Sequence, residues 1–258
     1  MNESQVESED FNPSQINTFE GFKDSALRIG ISKFEKIGFP DNYRNGYEQK
    51  ICEDISKKLK LKTKQNQKIL DIGSGCSDLP GLILQISREN NHQLTLLDSA
   101  EMHSNLPGEV KAGTTQIDAQ FPKCVDFINQ KQKSFDSIIC YSVIQYAFIE
   151  DSIFGFLDSM MALLKPGGRI LIGDIPNISM KKRFLGSDSG ENFNKNFFGH
   201  AEKVSVNWNS IEEQKLDDAV VLSMIMRARA AGFHAYLMPQ DEELPLSNRR
   251  EDLLIVKP

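Results

Sequence analysis

The sequence predicts an α/β fold: a mostly parallel sheet with helices on both faces. Three observations carry this. Residues 67–80 run from an apolar strand into Asp71 and two glycines, Gly73 and Gly75; helix-like sequence follows, and then a second apolar run, Leu94–Leu97, ends on Asp98. Strand-like and helix-like segments go on alternating as far as Asp174. Two last strands, Phe233–Met238 and Leu253–Val256, are joined by about 14 polar residues, too few for a helical crossover, so this pair is expected to be antiparallel.

Taken in order, the first dozen residues read as disordered. Ile16, Phe19, Phe22, Ala26 and Ile29 recur at helical spacing, Gly38-Phe-Pro-Asp-Asn breaks the pattern, and Tyr47, Ile51, Ile55 and Leu59 give a second helix. The lysine-rich run 57–64 reads as a solvated helix end, since no aromatic side chains interleave for base stacking. The core is then expected to place strands near 68–72, 93–98, 109–117, 135–141 and 169–174. Helices are expected at 79–89, at 122–131, and after Asp151, which can cap a stripe of Ile153, Phe156, Met160 and Leu163. Pro166-Gly-Gly168 stops that helix. Residues 175–209 read as a long loop carrying aromatic and basic groups, which in a compact domain points to function. Ser210-Ile-Glu-Glu213 has the form of a capping box opening a helix that Gly232 closes.

With 258 residues, 40% hydrophobic and 26% charged, the chain suits one large α/β domain with an appendage. A formal net charge of −6 argues against a nucleic-acid substrate held on a broad basic face. No apolar run approaches the ~18 residues of a membrane span, and the acidic start lacks signal-peptide features, so a cytoplasmic location is expected. Cys52, Cys76, Cys124 and Cys140 form no C-x-x-C pair, and no Cys/His cluster has zinc spacing. They read as buried thiols, and no metal is implied.

The glycine turn fits a nucleotide-bearing ligand, because backbone can approach where a Cβ would intrude and a strand-tip acid accepts from ribose hydroxyls. A dinucleotide site asks for a third glycine at position 78, where Asp78 would face pyrophosphate charge. Asp71, Gly73, Gly75 and Asp98 suit a ligand with an amino group and a sulfonium instead.

Asp71-Ile-Gly-Ser-Gly75 resembles the first motif of the class I S-adenosylmethionine-dependent methyltransferases, with Ser77 in place of the usual third glycine, and Asp98 resembles their ribose-binding acid. Thr115-Gln-Ile-Asp-Ala119 resembles the stretch that reads adenine, Phe135–Ser142 the fourth strand, and Leu163–Ile172 the helix–turn–strand that follows. The resemblance implies a seven-stranded, mostly parallel Rossmann-like sheet with an antiparallel last strand, an N-terminal helical extension and an insert after strand 5. It implies S-adenosyl-L-methionine as cofactor, with S-adenosyl-L-homocysteine as product. The donor is expected to meet Asp71, the turn Gly73-Ser74-Gly75, Asp98 and Ser99 at the ribose, Asp118 and Ala119 at the adenine, and Tyr141 and Ser142 at the fourth strand tip. On this reading 1–64 form an acidic tail and helical cap, and 65–258 the methyltransferase domain, with 175–209 as a lid over the acceptor.

Residues for the acceptor are less determined. Methyl transfer from a sulfonium needs alignment and desolvation first, and a general base only for some acceptors. His200, Asp174 and Tyr146 are the candidates for catalysis, against structural roles for each. Tyr43 sits where it can touch ligand. Lys181, Lys182 and Arg183 can bind a phosphate or carboxylate, or form a solvated basic turn. Gly173-Asp-Ile-Pro-Asn177 with the basic run looks similar to methyltransferases of bacterial surface-polysaccharide pathways. The leading expectation is therefore O-methylation of a sugar, nucleotide sugar or phosphorylated glycan precursor, a small acceptor for which a phosphorylated or acidic form is among the options. The alternatives are N-methylation of a small amine or protein side chain, and a donor-binding subunit without turnover.

Overall fold

In the computed structural model, residues 11–198 and 205–258 are described. The expectation of a disordered start thus falls mostly, and that for His200 wholly, outside the described residues. The elements in chain order are α1 (Phe19–Leu27), α2 (Lys33–Lys36), α3 (Asp41–Arg44), α4 (Glu48–Leu59), β1 (Lys68–Ile72), α5 (Leu79–Glu89), β2 (Gln93–Asp98), α6 (Ala100–Ser104), α7 (Gly108–Gly113), β3 (Thr115–Asp118), α8 (Val125–Gln130), β4 (Phe135–Tyr141), α9 (Ile144–Glu150), α10 (Ile153–Leu163), β5 (Leu164–Pro176), α11 (Ile178–Leu185), α12 (Asp188–Phe198), α13 (Asp218–Ala230), β6 (His234–Pro239) and β7 (Arg250–Val256).

The strands form one seven-stranded sheet in the order β3-β2-β1-β4-β5-β7-β6. β7 runs antiparallel to both neighbours, and the β1, β2, β3, β4 and β5 pairings with one another are all parallel. Strand alternation divides the core between the two faces. Leu70, Ile72, Ile138, Cys140, Ile170, Ile172, Leu253 and Ile255 pack with α10 and α13 on one side; Ile69, Ile139, Tyr141, Leu171 and Leu254 pack with α4 and α5 on the other. The parallel order reverses between β1 and β4, and there the strand tips open a crevice.

Four local expectations are corrected. The third strand covers only 115–118, because Pro107 leads into a helical turn at 108–113 whose one buried side chain is Val110. Residues 175–198 are largely helical, since the Asn177 side chain accepts from the Ser179 and Met180 amides and so starts α11. Ser210 caps no helix: its carbonyl and hydroxyl oxygens accept from Lys182 Nζ, which also pairs with Glu212, and α13 starts instead at Asp217, whose carboxylate accepts from the Val220 amide. Asp151 does not cap α10 either, because Ser152 does so through the Gly155 amide. In addition, α1 ends at Leu27 and leaves Ile29 99% exposed, outside the expected stripe. No helix among the described residues is long and apolar enough to cross a membrane.

Candidate functional site

At the tips of β1, β2 and β4 a cavity opens to solvent, lined by the turn after β1 and by residues of α1, β2, β4, α9 and α10. Its floor is the turn after β1. Gly73 and Gly75 have φ of +69° and +64°, and an added Cβ would lie 2.5 Å from Val143 and 2.8 Å from Ile37. Both the backbone conformation and the close approach therefore require glycine at these two positions.

Two acids stand at the turn. The Gly75 amide donates to Asp98 Oδ2 at 2.8 Å and the Ser99 amide to Oδ1 at 2.7 Å, so Asp98 ties the second strand tip to the glycine turn with lone pairs to spare. Asp71, 2% exposed, has a buried Oδ2 with no partner among the described residues. Burial, and then the nearby Asp98 charge, push its carboxyl up to about 7. Ser74 Oγ is likewise buried and without a partner among the described residues. Orphaned polar atoms of this kind cost free energy unless something else satisfies them.

The remaining walls divide by chemistry. Leu97, Met102, Ala119, Gln120 and Phe121 form one side; Phe19, Phe22, Phe39 and Tyr146 form an aromatic side, with Glu150 and Asp151 at its edge. Phe22 meets Tyr146 edge to face, with ring centroids 4.7 Å apart. The N-terminal segment is fastened down at separate points: the Phe19 amide donates to Glu150 Oε2 at 2.7 Å, Lys33 Nζ reaches Asp78, and Lys36 Nζ bonds the Ala26 carbonyl and Asn105.

Of the donor-site expectations, Asp71, Gly73, Ser74, Gly75, Asp98, Ala119, Tyr141 and Ser142 are all brought to the cavity. Two are not. Asp118 is paired with His103 Nδ1 at 2.6 Å, its side chain 58% exposed. The Ser99 hydroxyl caps α6 by accepting from the Met102 amide. The Ala119 amide is already engaged, donating to the Asp98 carbonyl.

Among the catalytic candidates, Tyr146 lines the cavity, and burial raises its phenol, which favours a hydrogen-bond donor over a base. Asp174 lies outside the main cavity: Arg250 holds it at 2.7 Å, Ser142 Oγ donates to it, and its own amide donates to Asp252. Tyr43 lines a smaller hollow beside it with Arg44 and Arg250. Of the basic run, Lys182 binds Ser210 and Glu212, Arg183 forms a forked pair with Asp218, and Lys181 is exposed. Among the described residues, none beyond Phe156 lines the main cavity, so the described part of the insert at 175–209 contributes nothing to it.

Sequence reasoning missed Phe19, Phe22, Ile37, Arg44, Glu150 and Asp151 as cavity residues. The aromatic spacing at 19 and 22 was a true helix signal, but this stripe faces the crevice as well as the core. Asp151 is freed for the cavity because Ser152 supplies the cap, and Asp-Ser ahead of an apolar stripe leaves either residue eligible.

No protein-family model matches the chain, and no curated protein matches it in sequence. Solved structures do resemble it. The plantazolicin methyltransferase BamL, in complex with a triazolic desmethylPZN analogue and SAH, aligns with a TM-score of 0.55 and 15% identity over 92% of this chain and 96% of its own. The CurJ carbon methyltransferase gives 0.54 and 16% over 93% of this chain, which spans only 65% of that one. The fold is that of the class I methyltransferases. The [4+2]-cyclase SpnF also shares it, with a TM-score of 0.51 and 11% identity over 90% of this chain and 85% of that one, so this scaffold accompanies more than one named activity. The cavity's own atoms bear on what such a scaffold would hold here. The glycine turn with positive φ, the unpartnered Asp71 oxygen and the strand-tip Asp98 together fit a ligand with ribose hydroxyls at one point and positive charge at another.

Proposed function

We propose that this protein transfers a methyl group from S-adenosylmethionine to a small molecule held on the aromatic side of the cavity. The observation that carries the reading is Asp71, a buried carboxylate with an unpartnered oxygen beside a glycine turn and a second acid. S-adenosylmethionine supplies a methyl group already activated on a sulfonium. The chain's own work is then to bind, orient and exclude water. Asp98 is placed to accept from ribose hydroxyls, the turn at 73–75 admits close backbone approach, and Asp71 offers negative charge. Leu97, Met102 and Phe121 give an apolar wall suited to adenine, while Asp118, paired with His103, lies outside the lining. Phe19, Phe22, Ile37 and Phe39 shield the reacting groups, which supports the described residues up to 64 as a cap on a methyltransferase domain that starts at 65.

The narrower reading, O-methylation of a sugar or phosphorylated glycan precursor, drew on the basic run 181–183. Two of those three cations are paired away from the cavity, and no support for that acceptor comes from the lining. The reading kept is the broader one: methyl transfer to a small acceptor.

Calorimetric titration of the whole chain with S-adenosylmethionine and with S-adenosylhomocysteine, on wild type and Asp98→Ala, tests it. The expected result is micromolar binding that falls at least tenfold in the variant, about 1.4 kcal/mol or more. Absence of binding to the wild type overturns the proposal.

A further inference from the structure

The acceptor end of the cavity has a charge character of its own. Its aromatic side, Phe19, Phe22 and Tyr146, ends on Glu150 and Asp151, which follow one another at the C-terminus of α9. Glu150 spends one oxygen on the Phe19 amide, and Asp151 has no side-chain partner among the described residues. The last carbonyls of α9 add partial negative charge at the same place, and no basic residue lies in its last turn. The cavity contains one cation among the described residues, Arg44, and Glu48 accepts from its Nε at 2.7 Å with both side chains buried, so its charge is offset within the fold. Asp71 and Ser74 in the same lining are more than nine-tenths buried and carry unpartnered oxygens, which independently marks the cavity as a place for a polar ligand.

Resting on the methyltransferase reading, we infer that the acceptor is an amine attached to an apolar or aromatic body, bound as its ammonium between the Phe22–Tyr146 pair and the carboxylates of Glu150 and Asp151. Ring faces and carboxylates both attract an ammonium, and both raise the free energy of a phosphate placed there. The bound ammonium gives up one proton before its nitrogen lone pair is free. The N–H bond breaks, its electrons stay on nitrogen, and the proton passes to one of the two carboxylates, leaving a neutral amine and a neutral acid.

The test uses three probes with one shared body, 2-phenylethylamine, 2-phenylethanol and 2-phenylethyl phosphate, titrated into the whole chain at pH 7 with and without saturating S-adenosylhomocysteine. The amine is expected to bind at least tenfold tighter than the alcohol, with the phosphate weakest. In Glu150→Gln/Asp151→Asn, whose melting temperature serves as the check on folding, that preference is expected to shrink to threefold or less. Affinities equal within threefold for all three probes, absence of binding included, overturn the inference, as does a preference for the phosphate. If S-adenosylhomocysteine fails to bind, the methyltransferase reading falls, and the series without it still decides the charge of the acceptor site.

Discussion

Two sets of buried charges lie side by side in this molecule and are treated in opposite ways. Around β4, β5 and β7 the acids Asp54, Glu48, Asp174 and Asp252 each have a cation within reach. Lys58 Nζ sits 2.7 Å from Asp252 and 2.5 Å from Asp54, and Arg44 holds Glu48. Ser77 donates to Glu48, Arg44 and then Ser142 lead to Asp174, and Arg250 closes the chain. In the cavity a few residues away, neither Asp71 nor Asp98 has a Lys or Arg partner among the described residues: Asp98 is held by the Gly75 and Ser99 amides with His103 nearby, and Asp71 keeps an oxygen with no partner at all. The paired set fixes α4, β5, β7 and the turn relative to one another. The unpaired set is a cost the fold alone gives no reason to keep, and it becomes intelligible when the missing cation belongs to a ligand.

The largest effect is expected from turning the paired region into a copy of the unpaired one. Lys58→Met leaves Asp252, which is 0% exposed, without its cation, and is expected to cost about 3–5 kcal/mol in urea unfolding. Adding Asp252→Asn should return much of that loss. If Lys58→Met costs less than about 1 kcal/mol, the network is no more than an exposed pair and the contrast collapses.

How much of this contrast was legible in the sequence depends on how local each demand is. Asp71, Gly73, Gly75 and Asp98 could be read because strand period, positive φ and a strand-tip acid are all set within a few residues. The antiparallel β6–β7 pair could be read because a short polar link permits nothing else. The helices α11 and α12 are hidden because both are polar on average and α11 buries no residue, so a single capping Asn177 is the main local signal. The Ser210 box misled because its hydroxyl is claimed by Lys182, 28 residues away. For the same reason the paired network could not be read at all: Lys58 with Asp252 and Arg44 with Ser142 are long-range meetings that no sequence window contains.

The next effect has the opposite sign. The Asp71 carboxyl titrates at 3.8 when solvated in an unfolded chain and near 7 in the fold, so between those values the folded state holds the extra proton and stability falls as pH rises through that window. Asp71→Asn removes that loss. It is expected to raise stability at pH 8 by roughly 2–4 kcal/mol and to flatten the dependence of melting temperature on pH between about 4 and 7. A variant less stable than wild type at pH 8 would mean that Asp71 has a partner after all.

The smallest effect sharpens the comparison from the solvent side. Arg183 and Asp218 form a forked pair with side chains 53% and 44% exposed. Arg183→Ala is expected to cost about 0.2–1 kcal/mol, less in high salt, and to leave the binding of S-adenosylhomocysteine unchanged. A large loss of ligand affinity would return the basic run to the site.

The most direct test of the central claim, that the cavity's unpaired acids await a cationic ligand, is proton release on binding. Titration of the whole chain with S-adenosylmethionine at pH 6.5, in two buffers of different ionisation heat, reads the protons exchanged. A ligand cation beside Asp71 drives its carboxyl to ionise, so wild type is expected to release about half a proton or more, and Asp71→Asn close to none. No release from the wild type, or the same release from the variant, would contradict the account.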